Sequence, residues 1–371
     1  MSESKVLLDL VQAKLDEFCA TKRLEFQQIS PDLVPLVDYA SALLAGGKRF
    51  RALFCYWSWV GALSGSPYNQ SEEDRSKATN CMVGITAALE MFHAAALVHD
   101  DLLDQSDTRR GVPAVHRRFE AMHRHNQFAG DSVRFGVAGA VLVGDLMLGW
   151  SSDLFEDALA AAPSRNLATA ARSEYSKMRT EVMAGQYLDV LEENAAPLRP
   201  LNEAVGRANR VMLYKTAKYS IEAPLLLGAA FAGAESGTLR SLSAFGIPLG
   251  MAFQLRDDIL GVFGDPAITG KPAGDDLREG KRTVLVALTR ETLLPSAAKI
   301  FDEMLMLREL TDAQIVFLQQ TIKGSGALAK TEQMIDELAT EALAALDQLP
   351  VDASAKQALR DLATKVIKRE N

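Results

Sequence analysis

Two groups of aspartates lie far apart in the chain, and each directly follows an apolar run. The first is Asp100, Asp101 and Asp104, behind AALEMFHAAALVH; the second is Asp257 and Asp258, behind FGIPLGMAFQL, continued by Asp265, Asp275 and Asp276. Asp100 and Asp104 are four apart, so on a helix their carboxylates share one face. Asp101 is turned about 100° away from them. Carboxylates at a helix C-terminus face the negative end of the macrodipole and repel one another. A bound divalent cation removes both penalties. Magnesium takes hard oxygen ligands, usually one or two carboxylates with water and phosphate oxygens. For either group alone, a solvated acidic helix end is the plain alternative. The repeated pattern, a buried helix leading into paired aspartates, points instead to two metal-binding edges that face each other and clamp a diphosphate.

Such a substrate also needs cations. Gly46, Gly47, Lys48, Arg49, Phe50 and Arg51 form a compact basic segment whose glycines permit a turn and a close backbone approach. Lysine supplies a point charge, and arginine a fork that matches phosphate oxygens. Arg109, Arg110 and Gly111 follow the first acid group, and Lys215–Thr216, Lys271 and Lys281–Arg282 add further candidates. His93 precedes Asp100 by seven residues, on nearly the same helical face, which favours a substrate contact over a satisfied core histidine. His99 reads as structural.

Helices must carry these groups. Apolar residues recur at helical spacing almost everywhere, as at Leu7, Leu10, Val11, Leu15 and Phe18, and strand alternation is absent. Ala87–Val98 and Ile247–Leu260 are apolar on more than one side, so both belong inside a bundle. Polar stretches with Gly or Pro at 64–74, 124–132, 194–200, 233–237 and 264–276 read as loops. None resembles an interdomain linker. The expectation is one all-α domain over residues 1–371. A net charge of −8 argues against nucleic acid as a partner. Cys19, Cys55 and Cys81 are too few and too scattered for a disulfide framework and read as reduced thiols. The N-terminal MSESKVLLDLVQAKLDEF is an amphipathic helix pattern rather than a signal peptide. Charges or short length disqualify the apolar runs as membrane spans, which need roughly 18–20 apolar residues. A cytoplasmic protein without a transmembrane segment is expected.

Taken in order, GGKRFR (46–51), EMFHAAALVHDDLLDQSDTRRG (90–111), KT (215–216), FQLRDD (253–258) and GKPAGDDLREGKRT (270–283) resemble the trans-prenyl diphosphate synthases, which include farnesyl and geranylgeranyl diphosphate synthases. The resemblance implies a helical bundle around a large central cavity, usually a homodimer. It implies magnesium as cofactor, held by Asp100, Asp104 and Asp257, with Asp101 and Asp258 in support. Arg109, Lys215 and Lys271 resemble residues that bind the allylic diphosphate (dimethylallyl, geranyl or farnesyl). Lys48, Arg51, His93 and Arg110 resemble the isopentenyl diphosphate site. Thr216 and Gln254 resemble groups facing the developing allylic cation. His116 has a family counterpart but receives no chemistry.

The second acidic motif of that family usually carries a third aspartate, where this chain has Gly261. Product length in the family depends on residues four and five positions before the first acid group, here Ala96 and Ala95. Small residues there leave the cavity open to Phe92 and Met91, one helical turn or about 5 Å deeper. The expectation is a twenty-carbon product, geranylgeranyl diphosphate. A longer or shorter chain, or a non-catalytic partner subunit, are the alternatives; a terpene cyclase is disfavoured because only condensation with isopentenyl diphosphate needs a second anion site.

Overall fold

Long Ala- and Leu-rich segments with helical periodicity fold as helices wherever a cap or a glycine does not interrupt them. The computed structural model describes residues 2–63, 72–265, 274–307 and 309–368. Its helices are α1 (Glu3–Ile29), α2 (Val34–Leu44), α3 (Phe50–Leu63), α4 (Glu72–Leu103), α5 (Val115–His125), α6 (Ser132–Ala160), α7 (Arg165–Ala195) and α8 (Ala204–Val211). A π-helical segment (Met212–Glu222) leads into α9 (Ala223–Ala232) and α10 (Ser236–Phe263). The chain closes with α11 (Asp275–Arg278), α12 (Val284–Thr292), α13 (Pro295–Leu305), α14 (Asp312–Gly324), α15 (Ala327–Asp347) and α16 (Ala353–Ile367). Side-chain caps set several starts: Asp131 accepts from the amides of Val133 and Arg134, and Thr311 with Gln314 forms a capping box.

The N-terminal helix runs eleven residues beyond the expected 1–18 pattern, to Ile29. One departure from pure helix is a two-residue hairpin, β1 (Thr108–Arg109) with β2 (Val112–Pro113). Its turn residues Arg110 and Gly111 both have positive φ, 54° and 76°, the geometry of a tight hairpin turn. This hairpin holds the Arg109–Arg110 loop beside the end of α4.

Every residue of α9 is buried, and α4 is buried on nearly all sides between Cys81 and Phe92. α4 packs on α6, α3 on α9, and α10 on both α15 and the π-helical segment. Two apolar clusters result. The larger joins α1, α3, α4, α6, α7 and α9; the smaller gathers α12 to α15. α10 runs through both: Leu242, Phe245 and Leu249 belong to the first, Ala252, Leu255, Ile259 and Val262 to the second. The two central helices picked out by sequence are therefore the spines of the two clusters. All three cysteines are free and buried.

Candidate active site

The last turn of α4 delivers the first acid group. Asp101 is buried and accepts from Nε of Arg109 at 2.7 Å. Asp100 meets Nζ of Lys215 at 3.0 Å, and Lys215 also reaches Asp189 of α7 at 2.5 Å. Asp104 meets Nζ of Lys281 at 2.9 Å, and Lys281 reaches Glu279 at 2.8 Å. The acid end of α4, unfavourable by its own dipole, is thus matched by three cations, Arg109 from the adjoining hairpin and Lys215 and Lys281 from distant segments. Burial alone would raise the Asp100 carboxyl, but Lys215, Lys281 and Arg109 hold it well below the usual range. For Asp104 burial wins over Lys281, and its carboxyl is raised. Burial opposes the charge on Lys281 too, yet Asp104, Asp276, Glu279 and Asp100 outweigh it and raise its pKa. Glu193 of α7 is pushed up to about 8, by burial first and then by Asp189 and Asp104.

The second group sits on α10 and is joined to the first through the π-helical segment. Pro224 lacks an amide for the carbonyl four residues back, and the wider π-helical turn just before it accommodates the loss. Lys215 and Thr216 project from that segment. Gly185 and Gly250 let α7 and α10 approach it at backbone distance, since a Cβ at Gly185 would meet Lys215 Cα at 2.8 Å and one at Gly250 would meet the Ala217 carbonyl oxygen at 2.8 Å. Gly250, Gln254 and Asp258 share one face of α10. Thr216 donates to Gln254 Oε1, and Gln254 Nε2 donates to Asp258 Oδ1, both at 2.7 Å. Two polar stretches result, Asp100–Lys215 and Thr216–Gln254–Asp258, held side by side because Lys215 and Thr216 are neighbours in the chain. Burial, then Asp276 and Asp257, raises the Asp258 carboxyl well above the ordinary range. Asp257, one residue earlier, is partly exposed beside it.

The fit to a divalent cation can be judged from the donors. Oδ1 of Asp104, on a side chain only 2% exposed, has no hydrogen-bond partner among the described residues. The walls carry hard carboxylate oxygens. Among the described residues no three acidic, His or Cys side chains already converge on one point. Hard carboxylate oxygens are the donors magnesium takes, with the rest of its shell supplied as water and substrate oxygen.

A separate basic crevice lies at His93, about two helical turns back along α4 from Asp100. Gly46 and Gly47 have φ of 81° and 98°. Arg110 comes so close over Gly47 that a Cβ there would lie 2.9 Å from Nη2. Arg110 Nη1 donates to the Ala45 carbonyl at 3.3 Å. Arg51 stacks over Tyr219 at 4.5 Å and donates to Ser220 at 2.7 Å, while the Tyr219 hydroxyl lies 3.2 Å from Nδ1 of His93. Arg49 is buried, 3.7 Å from Glu90, and donates to the Leu44 carbonyl at 2.6 Å. A crevice of about 10 Å³, room for roughly one water, is lined by Leu43, Gly46, Arg49, Glu90, His93 and Arg110. Burial, then Arg51, Arg110 and Arg109, holds the His93 imidazole well below its usual pKa. Lys48 is exposed at the rim.

Along α4, Asp100, Ala96 and Phe92 follow one another at four-residue intervals on one face. Ala96 is partly exposed, whereas Ala95 and Met91 are fully buried. Phe92 packs edge-on against Tyr175 and Tyr219. It lines a cavity of about 320 Å³ with Leu148, Ser176, Arg179, Thr180 and Met183. Of the four residues expected to bear on product length, only Ala96 is partly exposed; Phe92 is buried but lines the cavity, and Ala95 and Met91 are buried in the core.

Lys271 lies outside the described residues. Asp100 meets Lys215 and Arg109, Asp104 meets Lys281, and Thr216 meets Gln254, while Arg51, His93 and Arg110 gather at the crevice. His99 pairs with Asp145 at 3.5 Å, and His116 is buried. Sequence reasoning passed over Asp189, Glu193, Glu279, Tyr219 and the buried Arg49–Glu90 pair. The helical spacing of Gly185, Asp189 and Glu193 was a readable signal for the α7 face. Tyr219 carries no comparable signal, because its role comes from the rings and cations around it.

Comparison with known proteins gives the same chemistry a context. The polyprenyl synthetase family model matches residues 35–322. The geranylfarnesyl diphosphate synthase of Aeropyrum pernix is 30% identical over 349 residues, covering 93% of this chain and 97% of that one. The geranylgeranyl diphosphate synthase of Sulfolobus acidocaldarius is 33% identical over 273 residues, covering 73% and 72%. A crystal structure of geranylgeranyl pyrophosphate synthase from Corynebacterium glutamicum, complexed with isoprenyl diphosphate and magnesium, superposes with a TM-score of 0.89. It is 38% identical and covers 98% of each chain.

Proposed function

Because the chain belongs to the polyprenyl synthetase family and is a prenyltransferase, we propose that it condenses isopentenyl diphosphate with an allylic diphosphate to make geranylgeranyl diphosphate, with magnesium as cofactor. The observation that carries this reading is the pairing of two distinct anion sites. One is the acid end of α4 with Lys215 and Lys281; the other is the basic crevice at Arg51, His93 and Arg110. A bimolecular condensation of two diphosphates needs both.

Asp100, Asp104 and Asp257 would hold magnesium, with Asp101 and Asp258 in support; when bound, it supplies Lewis-acid stabilisation of charge on the departing diphosphate. Lys215, Arg109 and Lys271 add positive charge to that same group. The allylic C1–oxygen bond breaks and C1 bonds to C4 of isopentenyl diphosphate. Loss of a proton from C2 to the released diphosphate restores a double bond. Thr216 and Gln254 present oxygen lone pairs near the cation formed in between. Lys48, Arg51, His93 and Arg110 bind and orient the isopentenyl diphosphate, so the protein contributes position, charge and exclusion of water rather than a nucleophile. Glu90 supports the crevice by pairing Arg49 and accepting from the Ala52 amide at 3.2 Å.

The reading is of a single-domain cytoplasmic enzyme that works as a homodimer. α4 and α6 have the length and apolarity of membrane spans. The span-like window of α4 is mostly buried, whereas that of α6 is only 33% buried. Val133, Val137, Val141 and Leu142 of α6 are exposed, and a second copy of this chain would cover them.

A longer product is the second reading, favoured by the cavity behind Phe92. Purified protein with magnesium, isopentenyl diphosphate and farnesyl diphosphate should yield a twenty-carbon product. Ala96→Phe should shorten it and Phe92→Ala lengthen it. Longer chains from the unaltered protein would keep the enzyme class and remove Phe92 as the floor. No magnesium-dependent product from any allylic starter would leave the partner-subunit reading.

A further inference from the structure

The geometry points to Asp276 as the third carboxylate of the second acid group, taking the position that the side chain of residue 261 would occupy. The inference rests on the reading of the chain as a magnesium-dependent prenyl diphosphate synthase.

Asp257 and Gly261 are four residues apart and share a face of α10. Glycine inside a helix is destabilising relative to alanine, so Gly261, in the last turn of α10, calls for a reason. The reason is visible. A Cβ built on Gly261 overlaps the carboxylate carbon and both oxygens of Asp276, with Oδ1 at 2.7 Å. The space beside Asp257 is thus filled by a carboxylate that arrives from another segment.

The turn that delivers Asp276 is well anchored. Gly274, with φ of 74°, starts α11 where a side chain would strike Ile315. Leu277 is buried in the smaller apolar cluster. Arg278 donates to the Leu310 carbonyl at 2.6 Å and meets Asp312 at 2.7 Å. The Lys281 amide donates to the Asp276 carbonyl at 3.0 Å, so the backbone of Asp276 and that of the lysine bridging Asp104 and Glu279 are tied together. Lys281 stands in the field of Asp104 and Asp276 at once. Beside this turn, Asp104 meets Lys281 through Oδ2, while its buried Oδ1 has no hydrogen-bond partner among the described residues. The bland alternative gives Asp276 a structural role as an acidic first-turn residue and a counter-charge for Lys281.

Magnesium titrated into the full chain with inorganic pyrophosphate, read by the shift in melting temperature, separates the two. Asp276→Asn keeps the shape and removes the charge. It should need roughly tenfold more magnesium for the half-maximal shift, the lower end of what loss of a metal-orienting group costs. Gly261→Asp alone should also lose affinity, because its carboxylate meets that of Asp276. Gly261→Asp combined with Asp276→Gly should recover most of what Asp276→Gly alone loses. A wild-type magnesium requirement in Asp276→Asn overturns the inference. So does a loss of melting temperature that is equal with and without magnesium, or a double variant no better than Asp276→Gly. The condensation assay run alongside keeps the two levels apart. Wild-type turnover with an unchanged magnesium requirement in Asp276→Asn removes only this inference, whereas no turnover and no magnesium–pyrophosphate shift in the wild type removes the enzyme reading with it.

Discussion

His93 sits where burial and three arginines act in the same direction. Desolvation comes first, then Arg51, Arg110 and Arg109, and all disfavour the imidazolium. The sign of the pH effect follows. The unfolded chain takes up this proton near pH 6.5 and the folded chain only at lower pH. The stability linked to His93 is therefore present above about pH 6.5 and lost as pH falls below it. Buried acids with raised pKa, such as Glu90 and Asp258, push in the opposite direction, so the difference between variants is the informative quantity. The urea midpoint of the wild type, minus that of His93→Gln, should fall between pH 7 and pH 5. A constant difference across that range would refute the assignment.

The helices matter through where they touch. α7, α10 and the π-helical segment meet at glycines, and these contacts aim Lys215 and Gln254. Gly185→Ala would drive a methyl group into the backbone at Tyr214–Lys215. Overpacking of this kind costs about 1–3 kcal/mol. Lys215 would also leave its position between Asp100 and Asp189, so turnover should fall more than stability predicts. Gly206→Ala in α8 is the control. Its added methyl meets nothing within 4 Å, and it should leave stability unchanged or raise it by up to about 1 kcal/mol. Melting curves and steady-state rates on both variants test the idea. Equal effects from the two would show that the close approach at Gly185 has no bearing on Lys215.

At the level of the molecule, α6 presents Val133, Val137 and Val141 at four-residue intervals, flanked by Leu142. Its opposite face packs on α4 and α5, with Gly139 against the Phe119 ring and Gly144 against His99. Exposed apolar stripes of this extent are typical of association surfaces. The 40.3 kDa chain should elute as a dimer in size-exclusion chromatography. Val137→Glu with Leu142→Glu should shift it to the monomer position without unfolding it. A wild-type dimer that the double variant leaves intact would place the interface elsewhere.

The order of the motifs, the helical periodicity and the paired aspartates were enough to read the fold class, the family and the two acid-ended helices. These are local properties: a four-residue spacing places two carboxylates on one face, and apolar residues on several sides mark a buried helix. Other features depend on which segments meet in space. Asp189 becomes a partner of Lys215, and Asp104 of Lys281, only when α7, the π-helical segment and the turn after α11 close around the end of α4. Ala95 and Ala96 look alike in the chain, but the rotation of α4 buries one and exposes the other. The strand-free expectation missed the hairpin at 108–113 because a two-residue pair has too few residues to show alternation. Gly261 read as a lost ligand, because sequence records what a position lacks; the carboxylate of Asp276, fifteen residues later, reaches that space only through the packing of α11 against α10.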